Sequence, residues 1–93
     1  MEEFDIRLRI LRKLVYRNYW GTKHTSIEIT VKGFPGHLLG KAKWGVDDMI
    51  RRNIILSKPT SYGLQISLNP RFSKEIPNFI NKYDVILFQK DEK

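Results

Sequence analysis

The chain contains no cysteine, which excludes disulfides, thiolate metal sites and a cysteine nucleophile. A reducing, cytoplasmic compartment is therefore expected. Histidine is nearly as scarce. His24 and His37 are the two present, and without a thiol partner they do not make up a zinc site. No segment approaches the roughly 18 consecutive apolar residues of a membrane span. The opening Met1-Glu2-Glu3-Phe4-Asp5 is acidic where a secretory signal would be basic, so neither export nor membrane insertion is expected. Acidic residues are also in short supply: 10 Asp and Glu face 17 Lys and Arg, a net charge of +7 with a pI near 9.9. The last ten residues hold two basic and three acidic side chains, so the excess belongs to the body of the protein. A small basic domain suits a polyanionic partner, because neutralised phosphates release condensed counterions. The plainer alternative is charge that serves solubility alone.

Catalytic constellations are missing as well. Asp47 and Asp48 are adjacent, which on a helix turns them about 100° apart and prevents paired acid–base work. Pairing with Arg51 and Arg52 at helical spacing explains them better. Gly36-His37-Leu38-Leu39-Gly40-Lys41 has three residues between its glycines and Ala42 after the lysine, so it is not a phosphate-binding Walker loop. No enzyme activity, cofactor or metal is expected.

At 93 residues the chain has room for one modest core. A domain over residues 1–83 and a tail over 84–93 are expected. Phe4, Leu8, Leu11, Leu14 and Val15 recur at helical spacing and predict a first helix over about 3–18, with Ile6 and Ile10 on its flank. Thr25-Ser26-Ile27-Glu28 fits a capping box with Thr25 at the N-cap. It would open a short helix over about 26–32, although Ile27, Ile29, Thr30 and Val31 also suit a strand. Gly33 and Pro35 end that element.

A third helix over about 37–52 places Leu38, Leu39, Ala42, Val46, Met49 and Ile50 in one apolar arc, with His37, Lys41 and Trp44 opposite. Asn53 suits the left-handed position that closes it. A hairpin follows, with strands at 54–58 and 64–68 around the loop Pro59-Thr60-Ser61-Tyr62-Gly63. Leu64, Ile66 and Leu68 are expected to face inward, Gln65 and Ser67 outward. Asn69-Pro70 starts a last helix, which Pro77 would kink or split into a turn and a separate helix near 76–82. Val85 to Phe88 is β-prone. The expected core includes Leu11, Leu39, Val46, Ile50, Ile66 and Phe72. Gly40 and Gly45 each weaken the third helix by roughly 1 kcal/mol relative to alanine.

The exit Ile50-Arg51-Arg52-Asn53-Ile54-Ile55 and the return strand Gly63-Leu64-Gln65-Ile66-Ser67-Leu68-Asn69-Pro70 resemble those of winged helix-turn-helix domains, particularly small basic archaeal ones. The resemblance implies a mainly α fold with a small β-hairpin (α+β), in which a three-helix core carries a wing and a C-terminal helix. It implies a DNA-binding transcriptional regulator whose helix 37–52 enters the major groove while the wing 54–68 lies on the backbone or minor groove. The candidate contacts are His37, Lys41, Lys43, Trp44 and Arg51 on the recognition helix, and Lys58, Thr60, Ser61 and Tyr62 on the wing. Lys23, His24, Thr25 and Ser26, at the start of the second helix, are candidates for holding a phosphate. Double-stranded DNA is the expected partner, with a homodimer through the last helix and the tail. The alternative is a winged-helix adaptor that binds protein or RNA in transcription or RNA processing.

Overall fold

Seven apolar residues between Glu3 and Val15 give the first helix an apolar arc too wide for one stripe to define. In the computed structural model, which describes the backbone of residues 3–91 and the side chains of 3–83, α1 spans Glu3–Tyr16. Its buried residues are Ile6, Leu8, Ile10, Leu11 and Leu14. The face is therefore rotated from the expected one. Ile6 and Ile10 are central rather than flanking, Val15 is half-buried, and Phe4 remains 43% exposed. The reason is the crossing of α1 over the third helix. Gly45 there has no side chain, and a β-carbon at that position would touch Ile6 and Ile10 at 3.6 Å. Gly45 thus gives up helix propensity at a point of close helix approach.

The second helix is preceded by a strand that the sequence does not announce. β1 (Thr25–Ser26) leads directly into α2 (Ile27–Val31). The N-cap is Ser26, not Thr25: its Oγ accepts a hydrogen bond from the Ile29 amide at 3.0 Å. Thr25 is buried in β1. Gly33 takes the left-handed conformation after α2, with φ of 102°. A 3-10 turn at Gly36–Leu38 then runs into α3, Leu39–Arg51. Asn53 closes α3 with φ of 61°, as expected from its type.

β2 (Ile55–Thr60) and β3 (Gly63–Leu68) pair antiparallel, and β1 joins the other edge of β3, giving the order β1-β3-β2. Pro59 lies inside β2, where an edge strand tolerates its missing N–H. Cross-strand partners share a face. The register puts Thr25, Ile66 and Ser57 on one face, and Ser26, Gln65 and Lys58 on the other. Two expected orientations change. Leu64, near the tip, is exposed, and Ser67 is buried because residues 19–21 run alongside β3. The Ser67 hydroxyl satisfies itself by donating to the Gly21 carbonyl at 2.8 Å.

The core is built from α1, α3 and the inner sheet face, with Ala42, Val46, Met49, Ile55, Ile66 and Leu68 fully enclosed. Leu11, Val46 and Ile66 are buried as expected. Ile50 and Phe72 are only half-buried, and Leu39 is 37% exposed. The α3 face is rotated toward Leu38, Ala42 and Gly45, which places Leu39 at its margin.

Pro70–Phe72 forms a 3-10 turn capped by the Asn69 side chain, and α4 runs over Glu75–Asp91. The expected division into a turn and a separate helix is present, with the turn at 70–72 and the helix from Glu75, and Pro77 does not interrupt α4. That proline sits in the first turn, where its absent N–H would have had no helical acceptor. The backbone of 84–91 continues that helix, so the β-prone run is not a strand. The side chains of the expected dimer contact over 84–93 lie outside the described residues. Phe79 and Tyr83 of α4 pack edge-on against Phe4 of the same chain, at 5.8 and 5.0 Å between ring centres. The whole is an α+β arrangement of four helices and a three-stranded antiparallel sheet, compatible with a winged-helix layout. No helix among the described residues is long and apolar enough to cross a membrane.

Candidate nucleic-acid interface

From Asp48 to Glu75 the chain carries five cations (Arg51, Arg52, Lys58, Arg71 and Lys74) and no carboxylate between them. That stretch is the end of α3, the hairpin and the turn into α4. In the first part of α3, Lys41 and Lys43 are exposed. They precede Asp47, the first acidic residue of the helix. His37 is exposed in the preceding 3-10 turn. These cations therefore act on solvent with little local compensation.

The second half of α3 is different. Asp47 accepts from Arg51 at 3.3 Å in a surface i,i+4 pair, worth under about 0.5 kcal/mol and easily exchanged for a phosphate. Asp48 is held more firmly. It accepts from Arg7 of α1 at 2.9 Å and from Arg52 at 3.1 Å, with its side chain only 14% exposed. The Arg7 guanidinium also lies 5.0 Å from the centre of the Trp44 ring. Trp44 is 44% exposed, so it carries Arg7 against one part of its surface while the rest faces solvent. Arg7 thus fixes both the carboxylate and the indole. Nothing in the spacing of α1 marks it, since its partners lie about forty residues away.

Burial alone pushes the Asp48 carboxyl up. The hydrogen bonds from Arg7 and then Arg52, with their positive charge, outweigh burial and hold its pKa below the ordinary 3.8. A carboxyl whose folded pKa is lowered stabilises the fold above its unfolded pKa, and that contribution disappears as pH falls through the lowered value. Asp48→Asn should therefore reduce stability by a constant amount near neutrality, with the gap to the parent closing in acid. Urea midpoints measured between neutral pH and strong acid check this. Parallel acid limbs for the two proteins would rule it out.

At the hairpin the strands meet in a tighter turn than expected, with Ser61 and Tyr62 between them. Thr60 closes it: its Oγ1 donates to the Gly63 carbonyl at 2.7 Å and accepts from the Tyr62 amide at 3.2 Å. Gly63, at φ of 107°, supplies a conformation that residues with a β-carbon rarely adopt. Thr60 is thus a turn-forming residue, while Lys58, Ser61 and Tyr62 project, Tyr62 with 94% of its surface exposed.

The group at the start of α2 divides. Thr25 is buried and out of reach of any ligand, and the Ser26 hydroxyl caps α2. The five residues of α2 give little dipole for anion binding. Lys23 is exposed and approaches the Tyr19 ring at 5.7 Å. His24 reaches Gln65 on β3, with Nδ1 3.4 Å from Oε1. Gln65 lies directly across from Lys58 on one side and Ser26 on the other. Two segments separated by some thirty residues, the approach to β1 and the hairpin, therefore meet on the outer sheet face. Gln65 is the residue that joins them, and the sequence reading placed it outward without giving it a role. The expected five-residue loop would have put Leu64 opposite Lys58, and it is the two-residue turn that brings Gln65 there.

Among the described residues, no group of three or more His, Asp or Glu stands ready to hold a metal ion. Comparison with protein-family models, curated proteins and solved structures finds no match to this chain.

Proposed function

We propose that this protein is a winged helix-turn-helix domain that binds double-stranded DNA, as a transcriptional regulator does. In this reading α3 lies in the major groove and the β2–β3 hairpin rests on the adjacent backbone. The observation that carries the reading is the positive charge on the first half of α3 and on the exposed hairpin into which that helix leads. Lys41 and Lys43 stand on the first half of α3, Lys58 and Tyr62 on the hairpin, and no carboxylate follows Asp48 until Glu75. Three further features support it. The order α1-β1-α2-α3-β2-β3, with β3 central, is compatible with that fold. Trp44 is braced by Arg7 beside the same helix. His24 and Gln65 extend the polar surface from the hairpin across the sheet. Of the starting candidates, His37, Lys41, Lys43, Trp44, Lys58, Ser61, Tyr62, Lys23 and His24 keep a role as contacts. Arg51 contributes by exchanging Asp47 for a phosphate.

The test begins at the wing. Lys58→Ala should weaken binding to all duplexes alike and lower the slope of log affinity against log salt by roughly one unit, as a lost phosphate contact does. Fluorescence anisotropy across a salt series measures both. If the parent protein binds no duplex at low salt, the reading fails and an adaptor for protein or RNA becomes the better one.

A further inference from the structure

A second basic surface lies away from α3 and the hairpin. A groove of about 850 Å³ runs along the outer side of α1, between the end of α2 and α4. Leu8, Val15, Phe34 and Ile80 form its apolar lining. Arg9, Lys13, Arg17 and Lys32 stand around them, and Asp5 is the one carboxylate among the lining residues. No residue of α3 or of the hairpin lines it. Tyr16, at its edge, is 89% exposed.

Arg9, Arg17 and Lys32, three of the cations of this groove, are crowded rather than paired with carboxylates. Lys13 spans the gap from α1 to α2, its ammonium donating to the Ile29 carbonyl at 2.6 Å and the Lys32 carbonyl at 2.9 Å. Those carbonyls lie in and just after the last turn of α2, so Lys13 both ties the two helices and covers oxygens that would repel an anion. Burial lowers the proton affinity of Lys13, and the positive charges of Arg17, Lys32 and Arg9 lower it further. Arg9 is spread over the Phe34 ring at 5.1 Å. Among the described residues, no carboxylate forms an ion pair with Arg9, Arg17 or Lys32. An anion placed beside Arg9, Arg17 and Lys32 would relieve their mutual repulsion without breaking an ion pair of theirs.

We propose that this groove docks an acidic segment of a partner protein, in which carboxylates flank apolar side chains. Its mixed character decides the class. A duplex backbone offers charge at regular intervals but no apolar group to cover Val15 and Tyr16, the apolar side chains of the lining that reach solvent. A peptide with Asp or Glu beside Leu or Phe meets both the rim and the floor, by charge pairing and by burial of apolar surface. This assignment does not depend on the nucleic-acid reading. Where both hold, the domain joins a duplex on one face to an acidic protein on another.

The experiment uses the full chain and a short fluorescein-labelled peptide in which Asp and Glu flank Leu and Phe. A second peptide has serine at the apolar positions. The parent protein should bind the first peptide and bind the second more weakly. Arg17→Glu combined with Lys32→Glu should weaken the first by about tenfold or more, since close charge pairs across interfaces couple by about 1.5 kcal/mol upward. Both side chains are exposed, and the neutral pair Arg17→Gln with Lys32→Gln should give a smaller loss in the same direction, with thermal unfolding showing both proteins folded. Duplex binding should stay within twofold in both variants, as roughly expected for charges away from that contact. Unchanged peptide affinity in the charge-reversed protein overturns the proposal. So does equal loss of peptide and duplex binding, or displacement of the peptide by duplex, which would make the groove part of the nucleic-acid surface. A protein that binds the peptide but no duplex sinks only the DNA reading.

Discussion

Truncating Ile10 to alanine should cost about 3 kcal/mol of folding stability, whereas Leu39→Ala should cost less than about 1 kcal/mol. Ile10 has no accessible surface and meets α3 where Gly45 lets the two helices approach. The cavity left by Ile10→Ala has rigid walls on both sides, because α1 and α3 are each held by the rest of the core. Leu39 sits at the edge of the α3 face with 37% of its surface exposed, so less burial is lost and solvent fills the gap. A domain of this size has a total stability of roughly 5–15 kcal/mol. The Ile10 change therefore removes a large share and lowers the melting temperature by about 10 °C or more. Urea denaturation with an unchanged slope is the measurement. Equal losses at the two positions would mean that the rotation of the α3 face is wrong.

The contrast between those residues also marks how far the sequence could be read. Helices 1 and 3, the two hairpin strands and the Asn69-Pro70 cap follow local rules of periodicity, capping and turn chemistry, and the structure has them, although the cap opens a 3-10 turn and α4 starts at Glu75. Asn53 and Gly33 stand in the left-handed conformations that their types permit. What was not legible depends on partners distant in the chain. β1 is two residues long and exists because Thr25 and Ser26 pair with Ile66 and Gln65. Its apolar pattern is too short to announce a strand. The buried face of α1 was ambiguous because apolar side chains cover an arc of about 200° on the helical wheel. The crossing with α3 chose Ile6 and Ile10 over Phe4. Residues 84–88 read as β-prone, yet the backbone there continues α4, a case of context overriding intrinsic preference.

The candidate contacts were legible in a similar proportion. Exposure of Lys41, Trp44, Lys58 and Tyr62 follows from alternation and helical phase, and the structure places each at the surface. Thr25 and Thr60 looked equally available by type. One is buried by strand pairing and the other is spent on closing the turn. Arg7 was hidden among apolar residues of α1, although it touches both Asp48 and Trp44. A cation inside an apolar arc needs a carboxylate from elsewhere, and the sequence does not say which.

The largest functional effect is expected at Lys41. It lies in the first half of α3, where a recognition helix reaches base edges, and no acidic residue shares that part of the helix. Lys41→Ala should cost about 1–3 kcal/mol on the preferred site, roughly tenfold to a hundredfold in affinity, and much less on random duplex. That difference separates reading from positioning, because losing a phosphate contact weakens both sequences together. Lys58→Ala provides the comparison within the same domain. Arg51→Ala should act weakly, since removing it also frees Asp47 to repel the backbone only at the exposed margin of the helix. Selection of bound sequences from a random pool, followed by competition on the selected and scrambled sites, measures the specificity ratio directly. If Lys41→Ala leaves that ratio intact while lowering both affinities, α3 lies along the backbone and sequence is read elsewhere, with Tyr62 and Trp44 the next residues to replace.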